Sequence, residues 1–166
     1  MDGLYCILIL IIIALSGYVL RLFLEQARIK VHSISFKDTF GKTDVAVISL
    51  YNNGKKLNFI VDTGSSQCLI TKSVLSDLSY ETLGASGAEF STFNGDAYIQ
   101  GHEAIKMAVT KNGNTFITDF IVVDLDSSFP WDEEELGEKV HGIIGSRFLS
   151  DYSLLLDFDN LSLHGK

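Results

Sequence analysis

A chain of 166 residues has room for one ordinary domain and an appendage, and two full domains are excluded. With 46% hydrophobic and 20% charged residues its composition is globular, yet a mean hydropathy of +0.23 says that an apolar excess sits somewhere. The formal net charge of -8, with no Lys/Arg cluster, excludes nucleic acid as a partner, because counterion release needs a basic face.

The excess lies at the front, where Leu4 to Leu20 carries no charge and the run resumes after Arg21 as Leu22-Phe23-Leu24. At about 1.5 Å per residue this stretch reaches roughly 30 Å, the thickness of a bilayer's hydrocarbon core, so residues 1–25 are expected to form a transmembrane anchor. A cleaved signal peptide, with export of the rest, is the alternative, since Ala14-Leu15-Ser16-Gly17 offers small residues for cleavage. Against it, Met1-Asp2-Gly3 lacks the positive charge of a signal's n-region. Arg21, Arg28, Lys30 and Lys37 all follow the apolar run, which puts the remainder on the cytoplasmic side of a single-pass protein.

A polar connector is expected over 26–43 and a folded domain over 44–166. Within that domain Asp44 to Tyr51 reads as a strand, Asn52-Asn53-Gly54 as a hairpin turn and Lys56 to Val61 as the return strand. Asp62-Thr63-Gly64-Ser65-Ser66 interrupts the pattern, Cys68 to Thr71 resumes it, and Lys72 to Leu78 suggests one or two helical turns. Two more hairpins follow, Phe90 to Phe93 with Ala97 to Gln100 around Asn94-Gly95-Asp96, and Ala104 to Thr110 with Thr115 to Val123 around Lys111 to Asn114. Residues 124–138 hold seven acids and read as an exposed loop. The chain closes with His141-Gly142-Ile143-Ile144-Gly145, a short helix around Ser146 to Leu149, and a strand pair over Leu154 to Phe158 and Leu161 to Leu163. The fold class implied is mainly β, a small closed barrel with one or two short helices, preceded by one transmembrane helix.

Chemistry concentrates at the end of Phe59-Ile60-Val61. An acid closing a buried strand is costly unless it is paired or hydrogen-bonded, while Gly64 permits a sharp turn and Thr63 and Ser65 bring hydroxyls that can hold it. A strand followed by an Asx-type turn is the plain alternative. Far downstream comes Gly142-Ile143-Ile144-Gly145, an apolar pair between glycines, followed by Phe148-Leu149 and Leu154 to Phe158.

On these two motifs the chain resembles the retropepsin-like aspartic proteases, which pair a hydrophobic-hydrophobic-D-[ST]-G-[AS] loop with a later hydrophobic-hydrophobic-Gly segment packed beneath it. The resemblance covers about Asp44 to Leu163. It implies that Asp62 is the catalytic acid, that Thr63 joins a hydrogen-bonded clasp between two active-site loops, and that Gly64 and Ser65 shape the loop and contact the carboxylate. Gly142, Ile143, Ile144 and Gly145 would support that loop, and Phe93, Asn94, Gly95 and Asp96 would form the tip of a flap closing over bound peptide. The acidic insertion before His141 departs from the compact family pattern.

Peptide hydrolysis of this kind needs two close carboxylates sharing a proton, a pattern for which aspartic proteases are the standard example. The chain has no second D-T-G or D-S-G: Asp126-Ser127-Ser128 lacks the glycine and Asp157-Phe158-Asp159 the hydroxyl. The partner acid is therefore expected from a second copy in a homodimer with Asp62 near the two-fold axis. The expected function is an aspartic endopeptidase acting on extended peptide or protein substrates, the alternative a non-catalytic, membrane-tethered dimerisation or peptide-binding module of the same fold.

No cofactor and no metal are expected. His32, His102, His141 and His164 show no ligand spacing, and the acids of 124–138 lack an Asp-x-Asp-x-Asp-Gly pattern for calcium. Cys6 and Cys68 build no disulfide framework, and Cys68 reads as a small buried strand residue.

Overall fold

The computed structural model describes residues 2–91, 98–126 and 137–165, leaving undescribed the side chains of 2–4, 6, 8, 10, 24–32, 90, 91, 98 and 99. A long helix α1 (Asp2–His32) leads into β1 (Ile34–Ser35), α2 (Lys37–Thr43), β2 (Val47–Asn52), β3 (Lys55–Asp62) and β4 (Cys68–Thr71). After a 3-10 helix at Lys72–Asp77 come β5 (Glu81–Ala85), β6 (Glu89–Ser91), β7 (Tyr98–Gln100), β8 (Glu103–Lys111) and β9 (Asn114–Val123). β10 (Gly142–Gly145), α3 (Ser146–Asp151), β11 (Leu154–Asp157) and β12 (Ser162–Gly165) complete the chain.

Six strands close on themselves. The order is β2-β3-β10-β4-β9-β8, and β8 returns to β2 through Tyr51 opposite Thr110, leaving β5 as an extra strand on β8. Closure removes the free edges that an open antiparallel sheet would carry. Two hairpins form where the turn residues demand them: Asn53 and Gly54 (φ 46 and 85), then Asn112 and Gly113 (φ 50 and 79), both left-handed as a two-residue turn between twisted strands requires.

The barrel interior is filled from alternate positions of its strands, Leu57, Phe59 and Val61 of β3 among them, with Ile48, Leu50, Ile70, Ile105, Val109, Phe120, Val122 and Ile144, and Phe148 of α3 joins them. A second, smaller apolar cluster takes the intervening residues on the opposite face: Val47, Ile60, Leu69, Val123, Leu125, Val140 and Ile143.

The segment read as a connector contributes structure of its own. β1 pairs with β12 (Ile34 opposite Leu163) in a three-stranded sheet β1-β12-β11, and Ile34 and Phe36 join the main core. A two-residue strand whose partner lies at the other end of the chain leaves no local trace in the sequence. β5 is also additional to the sequence reading: all five of its residues are exposed, so it has no alternation to detect, and it carries a bulge between Thr82 and Gly84. The acidic loop enters through 124–126 and leaves through 137–140, and its middle, like the flap tip 92–97, lies outside the described residues.

α1 is 31 residues long, longer than the 1–25 expected of the anchor. Among the described residues no helix is long and apolar enough to cross a membrane. The structure therefore gives the expected transmembrane anchor no support.

Candidate active site

Asp62 is the last residue of β3, and the sheet's alternation puts its side chain on the face that carries Ile60 and the second apolar cluster, away from Phe59 and Val61. The strand register explains how the acid is held. β10 inserts between β3 and β4, parallel to the first and antiparallel to the second, so that Gly145 stands opposite Asp62 and Ile143 opposite both Ile60 and Leu69.

This insertion is very tight. A Cβ on Gly142 would lie 2.1 Å from the Leu69 carbonyl oxygen, and one on Gly145 2.4 Å from that of Gln67. Only glycine fits at either position, which is the physical content of the Gly-Ile-Ile-Gly motif. Its two isoleucines part company: Ile144 fills the main core, whereas Ile143 faces the Asp62 side.

The loop is organised by short polar contacts. The Gly64 N–H donates to Asp62 Oδ1 at 2.8 Å, and the Ser65 N–H reaches the Asp62 carbonyl at 3.3 Å. The Ser65 hydroxyl donates to the Gln67 carbonyl at 2.8 Å, so the contact to the carboxylate comes from Gly64 and the serine side chain braces the turn. Thr63 and Gly64 are exposed and Asp62 is partly exposed. Among the described residues these bonds come from backbone and hydroxyl groups, and no second carboxylate takes part in them.

Of the residues singled out in the sequence, Asp62, Thr63, Gly64 and Ser65 thus meet Gly142, Ile143, Ile144 and Gly145 in one place. Phe93, Asn94, Gly95 and Asp96 lie outside the described residues; the stem below them is paired, Glu89 with Gln100 and Ser91 with Tyr98. Sequence reasoning missed Ser146 and Gln67. Ser146 donates to the Ser65 carbonyl from its backbone N–H (2.8 Å) and from its hydroxyl (3.0 Å), and the Gln67 backbone is what crowds Gly145. The only available signal was their adjacency to the two motifs.

Nearby groups have structural explanations. Cys68 is buried in β4, and burial pushes its thiol up to about 11, so it stays protonated and unreactive at neutral pH. The His141 ring accepts the Asn58 N–H on Nδ1 at 3.1 Å, fastening the approach to β10. Asp126 is held by Lys139, across the loop, and by Ser73 of the 3-10 helix, while Glu138 pairs with Lys56 of β3.

The barrel thus presents an aspartate, hydrogen-bonded by the Gly64 N–H, on a glycine turn beside an inserted strand. The chain belongs to the aspartyl protease family, whose model matches residues 47–148, more than half of its length. No match is found among curated proteins.

Solved structures similar to this chain include three of the same kind. The EIAV protease complexed with the inhibitor HBY-793 is 19% identical, over 63% of this chain and 85% of that one, with a TM-score of 0.46. A retropepsin-like aspartic protease from Rickettsia conorii is 22% identical over 80% and 88%, at 0.44. The retroviral protease-like domain of Ddi1 from Leishmania major is 15% identical over 71% and 90%, at 0.49.

Proposed function

We propose that the chain is an aspartic endopeptidase that works as a homodimer, with a water activated between the Asp62 carboxylates of two copies. The observation that carries this reading is the Asp62 loop: a carboxylate on a strand end, bonded by the Gly64 N–H and backed by Gly145, inside a chain of the aspartyl protease family. One ionised carboxylate acts as base toward water while its protonated partner polarises the scissile carbonyl. With one such loop per chain, the second acid comes from a second copy. Supporting this, Thr63 is solvent-exposed at the loop's tip, available to meet its counterpart.

The test is a diverse peptide library digested with and without a statine-type inhibitor, alongside Asp62→Asn. Removing an acid–base group should lower activity by about 10²- to 10⁴-fold. An Asp62→Asn variant that cleaves as well as the parent would show the reading to be wrong.

We also propose that α1 tethers the domain to a membrane, with the domain on the cytoplasmic side. Residues 11–23 of α1 are all exposed, and the successive Ile11, Ile12 and Ile13 are each more than half so (51%, 55% and 62%); uncovered apolar side chains suit a lipid-facing or partner-covered helix. The basic residues after the run supply the orientation. A cysteine introduced at Lys37 should resist an impermeant maleimide in intact cells and react after permeabilisation; labelling in intact cells would reverse the topology.

A further inference from the structure

We infer that Ser146 is a positioning residue for the Asp62 loop, an assignment that rests on the peptidase reading. The loop's own closure is weak: the Ser65 N–H to Asp62 carbonyl bond is long, at 3.3 Å. What fixes the Ser65 carbonyl comes from outside the loop, where Ser146 gives it two donors at once, N–H at 2.8 Å and hydroxyl at 3.0 Å. A carbonyl oxygen has two lone pairs, and both are engaged.

Ser146 is the first residue of α3, directly after Gly145. Its N–H is one of the donors that a helix start leaves unsatisfied, so a single carbonyl both completes the helix start and is itself immobilised. The neighbouring contact works in the same direction, because Gly145 lies so close to the Gln67 backbone that a Cβ there would meet its nitrogen, carbon and oxygen, all within 2.9 Å. Ser65 in turn ties its hydroxyl to Gln67. The segment from Ser65 to Gln67 is therefore held against 145–146 at both ends, and the Gly64 N–H that orients the carboxylate stands next to the first of these fixed points.

Loss of the hydroxyl leaves the backbone bond in place, so Ser146→Ala should fold but hold the loop less firmly. Removing one hydrogen bond to a catalytic loop should lower kcat by about five- to tenfold, with KM within about twofold because no substrate-contacting group is lost. Ser146→Thr keeps the hydroxyl and should return kcat to within about twofold of the parent.

The experiment compares kcat and KM for parent, Ser146→Ala and Ser146→Thr, each normalised to functional sites by titration with a statine-type inhibitor, with unfolding midpoints measured in parallel. A fall in kcat per titrated site, rescued by Thr, supports the assignment. An Ala variant with unchanged kcat per site, or a Thr variant as impaired as Ala, overturns it while leaving the peptidase reading intact. A parent that neither binds the inhibitor nor cleaves peptides overturns that reading and this assignment with it.

Discussion

Gly145 shows how much a single position decides here. It sits opposite Asp62 in the register, and a methyl group on it would be driven into the Gln67 carbonyl at 2.4 Å. That neighbour is backbone, not a flexible side-chain end, so relief requires β10 and the Asp62 loop to move apart. Gly145→Ala should therefore cost about 1–3 kcal/mol, the range for overpacking, and should disturb the carboxylate before it unfolds the barrel. Urea denaturation checks the first part, and an unchanged midpoint would show that the loop yields freely. At this scale the sequence was readable where chemistry is unusual: an acid closing an apolar strand, and a pair of glycines around two isoleucines. Ser146 and Gln67 were not, because their importance comes from backbone contacts between segments some eighty positions apart in the chain.

Among the elements, the turn from β11 to β12 ties local chemistry to the terminal sheet. Asp157 Oδ1 accepts the N–H groups of Asp159 and Asn160 at 2.9 and 3.0 Å, and its Oδ2 takes the Asn160 side-chain amide at 2.7 Å, with His164 Nε2 at 3.4 Å. The Asn160 side chain first, then its backbone N–H, hold this carboxyl below the usual carboxylate range. A depressed folded-state pKa contributes stability that is complete above the unfolded value of about 3.9 and disappears as pH falls through the folded one. Asp157→Asn should thus lower the thermal midpoint at pH 7, with the difference from the parent shrinking toward the acid end. A deficit of the same size at strongly acidic pH would mean that shape, not charge, sets the turn. The hairpins were legible because Asn-Gly turns and alternation are local signals. β1, α2 and β5 were not: the first owes its existence to β12, and the last has no buried face.

For the molecule as a whole, six barrel strands close around one core and leave one Asp62 loop per chain, so the proposed carboxylate pair would need a second copy. In the terminal sheet β11 is an edge strand among the described residues, and Phe158 just beyond it packs against Phe36 and Phe40. Barrel closure itself was foreseeable from regular hairpins and the absence of long amphipathic helices, whereas the insertion of β10 between β3 and β4 was not: family resemblance gave only a segment packed beneath the loop, because no local pattern specifies a strand's neighbours. A shared site makes a quantitative prediction. If each active unit needs Asp62 from both copies, adding Asp62→Asn chains to parent at concentrations well above the dimer dissociation constant removes activity by forming mixed pairs. For random pairing the remaining activity is the parent fraction, roughly half at equal amounts and about a tenth at ninefold excess. The variant keeps the size of the side chain and the Gly64 contact, so it should pair as the parent does. Peptidase activity followed through such a titration, after time for subunit exchange, separates the possibilities. A flat response, with mixed dimers demonstrated by sedimentation of tagged chains, would mean that one carboxylate suffices and that the second copy has another role.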